Sequence, residues 1–421
     1  MYLSYLFVII VLIMFSLQVY LSSRQIRHII KNYATIPKEF VNSTTLEQHQ
    51  KSSKYNIDKL KLGMIANSFH VIALIILTLM GLLQTIDFWL DKNIHNEYLY
   101  ALTLFAGIFL FLALFSLPFE YISQFKIEEK YGFNKMTKGL FITDTIKQGL
   151  VSAVLIFPLI CAAIWIFKKP FGWFYMWLIW ISFNILIMLI YPKYIAPLFN
   201  KFEALKDENL YLGIENLFTK ANFKLSAILV MDGSKRSSHG NAYFTGLGNS
   251  KRIVFYDTLL KNLTPNQTIA VLAHELGHLA KKHILKGMLI SFALSLVFLY
   301  LVNYAQNSLA FYNFMNVMPH ISGLNSIHSN YPIVLICMII LMPVLSFFFT
   351  PIFSALSRKD EFEADAFASV HHNSDDLIAA LIALYNDNAS MFSNDELYTK
   401  FYFSHPPALE RINRLNLLKN I

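Results

Sequence analysis

Apolar residues in this chain fall into long blocks separated by polar stretches. Residues 3–22 are nearly all apolar, and further blocks cover about 62–85, 98–118, 149–166, 172–191, 287–305 and 330–350. A helix needs roughly 20 apolar residues to cross the hydrocarbon layer, so the pattern predicts seven membrane spans. The first block has no charge ahead of it, unlike the basic start of a secretory leader, so a retained span is expected, with a cleaved leader as the alternative. From Gly287 through Ser357 there is no Asp, Glu, Lys or Arg. Pro332 and Pro343 are expected to kink the last span.

The polar interval 192–286 reads differently. A helix is expected over 198–219, a strand over 225–231, and two more strands over 241–247 and 253–256. Gly246, Gly248 and Asn249 between the last two suggest a hairpin. Thr264 followed by Pro265 supplies an N-cap and a first helical residue, so a new helix starts there. The organisation expected is five spans over 1–191, a metallopeptidase-like region over 192–286, two spans over 287–356, and a C-terminal region over 357–421. The fold class is an all-α polytopic membrane protein carrying a small β-hairpin or sheet.

Composition narrows the class further. With 55% hydrophobic residues, 15% charged, 37 Phe and a mean hydropathy of +0.45, the chain is not a set of soluble domains. Its net charge of +8 comes from basic residues flanking spans, which suits anionic lipid and not nucleic acid. Arg24, Arg27, Lys31, Lys38, Lys51, Lys54, Lys59 and Lys61 face only Glu39, Glu47 and Asp58 across 23–61. This excess, repeated in 192–285 and absent from 306–329, places the N-terminus outside and the long polar region and C-terminus in the cytoplasm. Lys168 and Lys169 are a local exception. Cys161 and Cys337 lie inside apolar blocks, so they form neither a disulfide framework nor a metal site.

Candidate chemistry centres on His274-Glu275-Leu276-Gly277-His278. Histidines four apart share one helical face and can hold one metal ion, for which zinc suits the imidazole ligands. Glu275 beside them can accept a proton from the attacking water, the arrangement of a hydrolytic site. A third ligand must return from elsewhere in the fold. The segment Arg358-Lys359-Asp360-Glu361-Phe362-Glu363-Ala364-Asp365 follows the uncharged interval and offers it. Glu361 and Asp365 share a face, so one can bind metal while the other orients a ligating histidine.

These segments, with Ser234–Gly248, Glu128–Lys135 and Ser404-His405-Pro406-Pro407, resemble the Ste24-type CAAX prenyl proteases, integral-membrane members of the M48 zinc metallopeptidases. The resemblance implies seven helices around a large water-filled chamber, with the metal site at its cytoplasmic side. It implies one zinc ion per chain on His274, His278 and Glu361, with Glu275 as acid/base and Asp365 and Arg411 in support. Asn241 and the strand Ala242, Tyr243 and Phe244 would lie along the substrate backbone, and His405 would face the scissile carbonyl. Members more often carry Gln where this chain has Glu363.

The implied substrate is a peptide or protein ending in Cys-aliphatic-aliphatic-X, including isoprenylated ones, or a related extended membrane-associated peptide. Membrane lipid is the other partner; no nucleic acid and no obligate protein partner are expected. The membrane would be the endoplasmic reticulum in a eukaryote or the inner membrane in a bacterium. Two other readings are a membrane quality-control metalloprotease and a catalytically silent zinc-binding scaffold or transporter. Seven spans and the His-Pro-Pro segment disfavour the first, and a ligand set with an open fourth position disfavours the second.

Overall fold

The computed structural model describes residues 2–246, 251–320 and 328–419. Its first half is helical: α1 Tyr2–Lys31, α2 Leu46–Leu77, α3 Leu82–Asn93, α4 Glu97–Ile122, the single turn α5 Glu129–Tyr131, α6 Lys138–Phe167 and α7 Gly172–Ile190. Seven helices among the described residues are long and apolar enough to cross a membrane. Several exceed the length that hydrocarbon requires. At about 1.5 Å per residue the 30 residues of α1 extend well past a roughly 30 Å core.

The second predicted span differs from expectation. Its helix begins earlier, at Leu46, where Thr45 and Gln48 form a reciprocal cap. It ends before Gly81, whose φ of 77° turns the chain into α3. The polar stretch between the second and third predicted spans is therefore largely the helix α3. Asp87 is fully buried there, accepting hydrogen bonds from the Tyr100 hydroxyl and, at 2.9 Å, from His320 Nε2.

The polar region holds β1 Phe202–Ala204, α8 Glu208–Lys220, β2 Ala227–Met231, β3 Ala242–Thr245, β4 Arg252–Tyr256, α9 Asp257–Asn262 and α10 Pro265–Ala280. The expected helix over 198–219 is shorter than predicted, because 202–204 pair with β2 and Asp207 caps the helix only from Glu208. The sheet order is β1-β2-β4-β3, with β2 and β4 parallel and β3 antiparallel to β4. The predicted β3–β4 pairing is present. Leu247, Gly248 and Asn249 of its connection lie outside the described residues, as does 321–327 of the later polar connection.

Then follow α11 His283–Ala305, α12 Leu309–Met315, α13 Tyr331–His371, α14 Ser374–Asp387, α15 Glu396–Tyr402 and α16 Ala408–Leu418. Pro332 opens α13, where its missing N–H costs nothing, and does not kink it; Pro343 and Pro351 lie inside the helix. The helix is 41 residues long and unbroken. Half of its apolar window is buried, against 6% to 22% for the other spans, so the bundle packs around it. Because it continues past the apolar stretch, one continuous helix joins the membrane core to Glu361 and Asp365.

A second core lies beyond that bundle. It joins α8, the sheet, α10, α14 and Leu415 of α16, with Phe255, Ala270, Ala273 and Leu276 at its centre. The C-terminal part is tied back to the first span by Arg24, which donates to Asp395 at 2.9 and 3.1 Å.

Candidate metal centre and peptide cleft

Helix α10 starts on a reciprocal cap, with Gln267 N–H donating to Thr264 Oγ1 and Thr264 N–H to Gln267 Oε1. Its register then turns His274 and His278 toward α13. Their Nε2 atoms lie 3.3 Å apart. Glu361 of α13 meets both, with Oε2 3.4 Å from His274 Nε2 and Oε1 3.2 Å from His278 Nε2. These three side chains are close enough to share one ion. Among the described residues Glu361 Oε2 is buried without a hydrogen-bond partner, an orphan that a cation would satisfy. The donor set therefore fits a divalent metal.

The outward nitrogen of His274 has its own partner. Nδ1 donates to Asp365 Oδ1 at 2.8 Å, which leaves Nε2 free to ligate. Arg411 from α16 clamps Asp365 through two hydrogen bonds, Nε to Oδ2 at 2.9 Å and Nη2 to Oδ1 at 2.6 Å. Its Nη1 lies 3.5 Å from Glu361 Oε2. Burial opposes the Arg411 charge, but the Asp365 and Glu361 carboxylates beside it hold it protonated. One guanidinium thus offsets two buried carboxylates.

Glu275 lies at a cavity of about 360 Å³. Burial lifts its carboxyl above the usual carboxylate range, against the pull of His274 and His278, so the group is a better proton acceptor than an exposed glutamate. The same cavity is bordered by Asn241, Ala242, Tyr385, His405 and Arg411. Tyr385 and His405 also border a second cavity of about 300 Å³ reaching Gln25 and Asn56. His405 stands between the two. Its Nε2 is 3.4 Å from Glu361 Oε1, and its Nδ1 is 3.0 Å from Ser404 Oγ. Although 63% of its side-chain surface is exposed, crowding by surrounding protein lowers its pKa from the ordinary histidine value, the direction that favours the neutral ring.

Strand β3 has an open edge among the described residues, since β4 is its only neighbour in the sheet. Asn241 accepts from Tyr256 N–H at 2.9 Å, so by antiparallel alternation Ala242 and Phe244 turn their backbone groups away from β4. The Asn241 side chain covers one of these groups, accepting from Ala242 N–H at 2.8 Å. Tyr243 faces the other way in the pleat, 6.3 Å from the Tyr256 ring.

His274, Glu275, His278, Glu361, Asp365, Arg411, His405, Asn241 and Ala242 thus lie around one cavity, whereas Tyr243 turns toward Tyr256 and Phe244 packs into the second core near Phe218. Sequence reasoning missed Tyr385, which has no motif around it, and His283, whose Nδ1 lies 3.0 Å from His278 Nδ1. On one continuous helix, residues five apart point roughly 140° away from each other. Here Lys282, at φ 59°, breaks the helix and returns His283 toward the site.

Multiple apolar spans and a His-Glu-x-x-His helix closed by a distant glutamate define a multi-pass membrane metallopeptidase. Comparison with known proteins places it more closely. Residues 25–201 match the family described as CAAX prenyl protease N-terminal, five membrane helices, and residues 204–419 match peptidase family M48. The chain belongs to that family, as a metalloendopeptidase acting on peptide or protein substrates. It is 33% identical to the CAAX prenyl protease 1 homolog of Arabidopsis thaliana, covering 96% of this chain and 95% of that one. Against CAAX prenyl protease 1 of Saccharomyces cerevisiae it is 33% identical, covering 96% and 92%. The crystal structure of S. mikatae Ste24p matches with a TM-score of 0.89 and 31% identity, over 98% of this chain and 99% of that one.

Proposed function

We propose that this protein is a zinc-dependent endopeptidase that trims prenylated CAAX C-termini or related extended membrane-associated peptides. The observation that carries this reading is the open edge of β3 beside the converging His274, His278 and Glu361. Whole-length similarity to CAAX prenyl protease 1 proteins supports the substrate class.

His274, His278 and Glu361 would hold the zinc. Bound there, zinc would supply Lewis acidity to the scissile carbonyl and to the attacking water. The protein's own groups do the rest. An extended peptide adds a strand along Ala242 and Phe244, fixing its backbone by hydrogen bonds and leaving specificity to the adjoining cavities. Glu275 accepts the proton of the attacking water and returns it to the departing amine. His405, neutral and held by Ser404, donates from Nε2 to the developing oxyanion. Asp365 and Arg411 keep His274 in the ligating tautomer.

The spans other than α13 bury little of their apolar length, which supports helices flanking a hollow with lipid outside. The basic flanks support an active site on the cytoplasmic side, in the endoplasmic reticulum of a eukaryote or the inner membrane of a bacterium. Lys220→Cys, at the exposed end of α8, tests the orientation. An impermeant maleimide should label it only after permeabilisation. Labelling in sealed cells would reverse the topology.

The functional test digests a farnesylated CAAX peptide and its unprenylated counterpart with wild type and Glu275→Gln, matched for zinc content, and reads product masses. Release of the terminal tripeptide by wild type alone, strongly favoured by the prenyl group, is expected. Scattered cleavage of both peptides would move the assignment to broad membrane proteolysis.

A further inference from the structure

His274 is not the only histidine of α10 whose outward nitrogen has a partner. The Nε2 of His278 faces His274 and Glu361, and its Nδ1 turns outward to lie 3.0 Å from His283 Nδ1. The far nitrogen of His283, Nε2, is 3.2 Å from Glu363 Oε2 and 3.4 Å from Asp360 Oδ1. The His283 side chain is 5% exposed, whereas the two carboxylates are each 33% exposed. A buried imidazole thus links a ligand candidate to a pair of half-open acids.

Proton accounting fixes the direction of every link. A neutral histidine that ligates through Nε2 carries its proton on Nδ1. His278 must then donate to His283 Nδ1, which accepts. His283 consequently carries its own proton on Nε2 and donates it to Glu363 or Asp360. Each contact has one donor and one acceptor.

His283, Asp360 and Glu363 are also close enough to share a cation of their own. That alternative needs a lone pair on His283 Nε2, which moves the His283 proton to Nδ1. Two N–H groups would then oppose each other across 3.0 Å whenever His278 holds a metal. Occupation of the one site opposes occupation of the other.

We propose that His283 is a positioning residue for His278, itself oriented by Glu363 and Asp360, and that the cluster supports the metal centre instead of forming a second one. The proposal rests on the metallopeptidase reading above. Glu363 thereby gains a role, because its full negative charge accepts from His283 more strongly than a neutral amide would, making His278 a more basic ligand.

The test uses the full chain in detergent, with zinc affinity from chelator competition, zinc equivalents per chain, and Tm with and without zinc. Wild type is compared with His283→Phe, His283→Asn, Glu363→Gln and, as a ligand control, His274→Ala. We expect one equivalent in wild type and a roughly 10–100-fold weaker affinity in His283→Phe, the size seen when a ligand's outer partner is lost. The metal-free Tm should hold, and the zinc-induced rise in Tm should shrink. His283→Asn, whose Oδ1 can still accept from His278, should recover part of the affinity, and Glu363→Gln should lose less than His283→Phe because Asp360 remains. Equal affinity in wild type and His283→Phe overturns the proposal. So does an equal fall in both Tm values with affinity unchanged, the mark of a purely structural residue. Two equivalents in wild type falling to one in Glu363→Gln would make the cluster a second cation site. If His274→Ala binds zinc as wild type does, the metallopeptidase reading itself fails, whatever His283 does.

Discussion

Gly277 of α10 lies against Ala364 of α13 so closely that a Cβ at position 277 would stand 2.8 Å from the Ala364 Cα and 3.0 Å from its carbonyl oxygen. This contact lies between His274 and His278 on one helix and beside Glu361 on the other. It sets how near the two metal-facing surfaces come. The neighbouring atoms are backbone, so they cannot rotate out of the way. Gly277→Ala should therefore push the helices apart, and misplacement near 1 Å is enough to cost roughly 100-fold in activity. Zinc affinity and peptide cleavage should fall together. Unchanged values for both would show that the contact tolerates a methyl group.

Glu275 and Glu361 should separate chemistry from binding. Glu275→Gln keeps the shape of the site but cannot accept a proton, so zinc should be retained while cleavage is lost. Unchanged proteolysis would remove Glu275 from the mechanism. Glu361→Gln should weaken zinc binding more than Glu363→Gln, because only Glu361 faces both imidazole Nε2 atoms. Equal metal retention in the two variants would undo the ligand assignment.

The open edge of β3 predicts a dependence on parity along the substrate. If a peptide pairs with Ala242 and Phe244, only alternate peptide N–H groups point at the strand. N-methylation of a model substrate should raise KM at alternate positions and have little effect at those between. Uniform sensitivity along the peptide would argue against strand addition.

The Arg24–Asp395 contact should be visible in acid. The two hydrogen bonds from Arg24 hold the Asp395 carboxyl below its ordinary value of 3.8. A depressed carboxyl stabilises the fold at pH values above its unfolded pKa and loses that contribution as pH falls through the folded one. Wild type should therefore lose Tm on acidification below about pH 4, and Asp395→Asn should lose less over that window while starting lower at neutral pH. Parallel curves would place the acid sensitivity elsewhere.

Much of this protein could be read from local pattern. Blocks of apolar residues fix the spans because a membrane leaves a helix few other ways to satisfy its backbone. The spacing of His274 and His278 places them on one helical face in any helix that contains them. Glu361 and Asp365 were legible for the same reason, as was the α10 start at Thr264 and Pro265. Resemblance to a known family added Asn241, His405 and Arg411, which no local periodicity singles out.

The rest depended on contacts distant in sequence or on breaks in regular backbone. A strand over 202–204 forms because β2 is there to pair with it, and its residues alone carry no strong strand signal. Asp87 belongs in a buried helix only because Tyr100 and His320 reach it. His283 was hidden by the assumption of a continuous helix, which one left-handed residue at Lys282 defeats. The sequence by itself determined which residues are able to ligate, to accept a proton and to cross a membrane, since these follow from side-chain chemistry and helical repeat. Only the tertiary structure decided which of them meet, because approach distances such as that of Gly277 to Ala364 are set by the packing of whole helices.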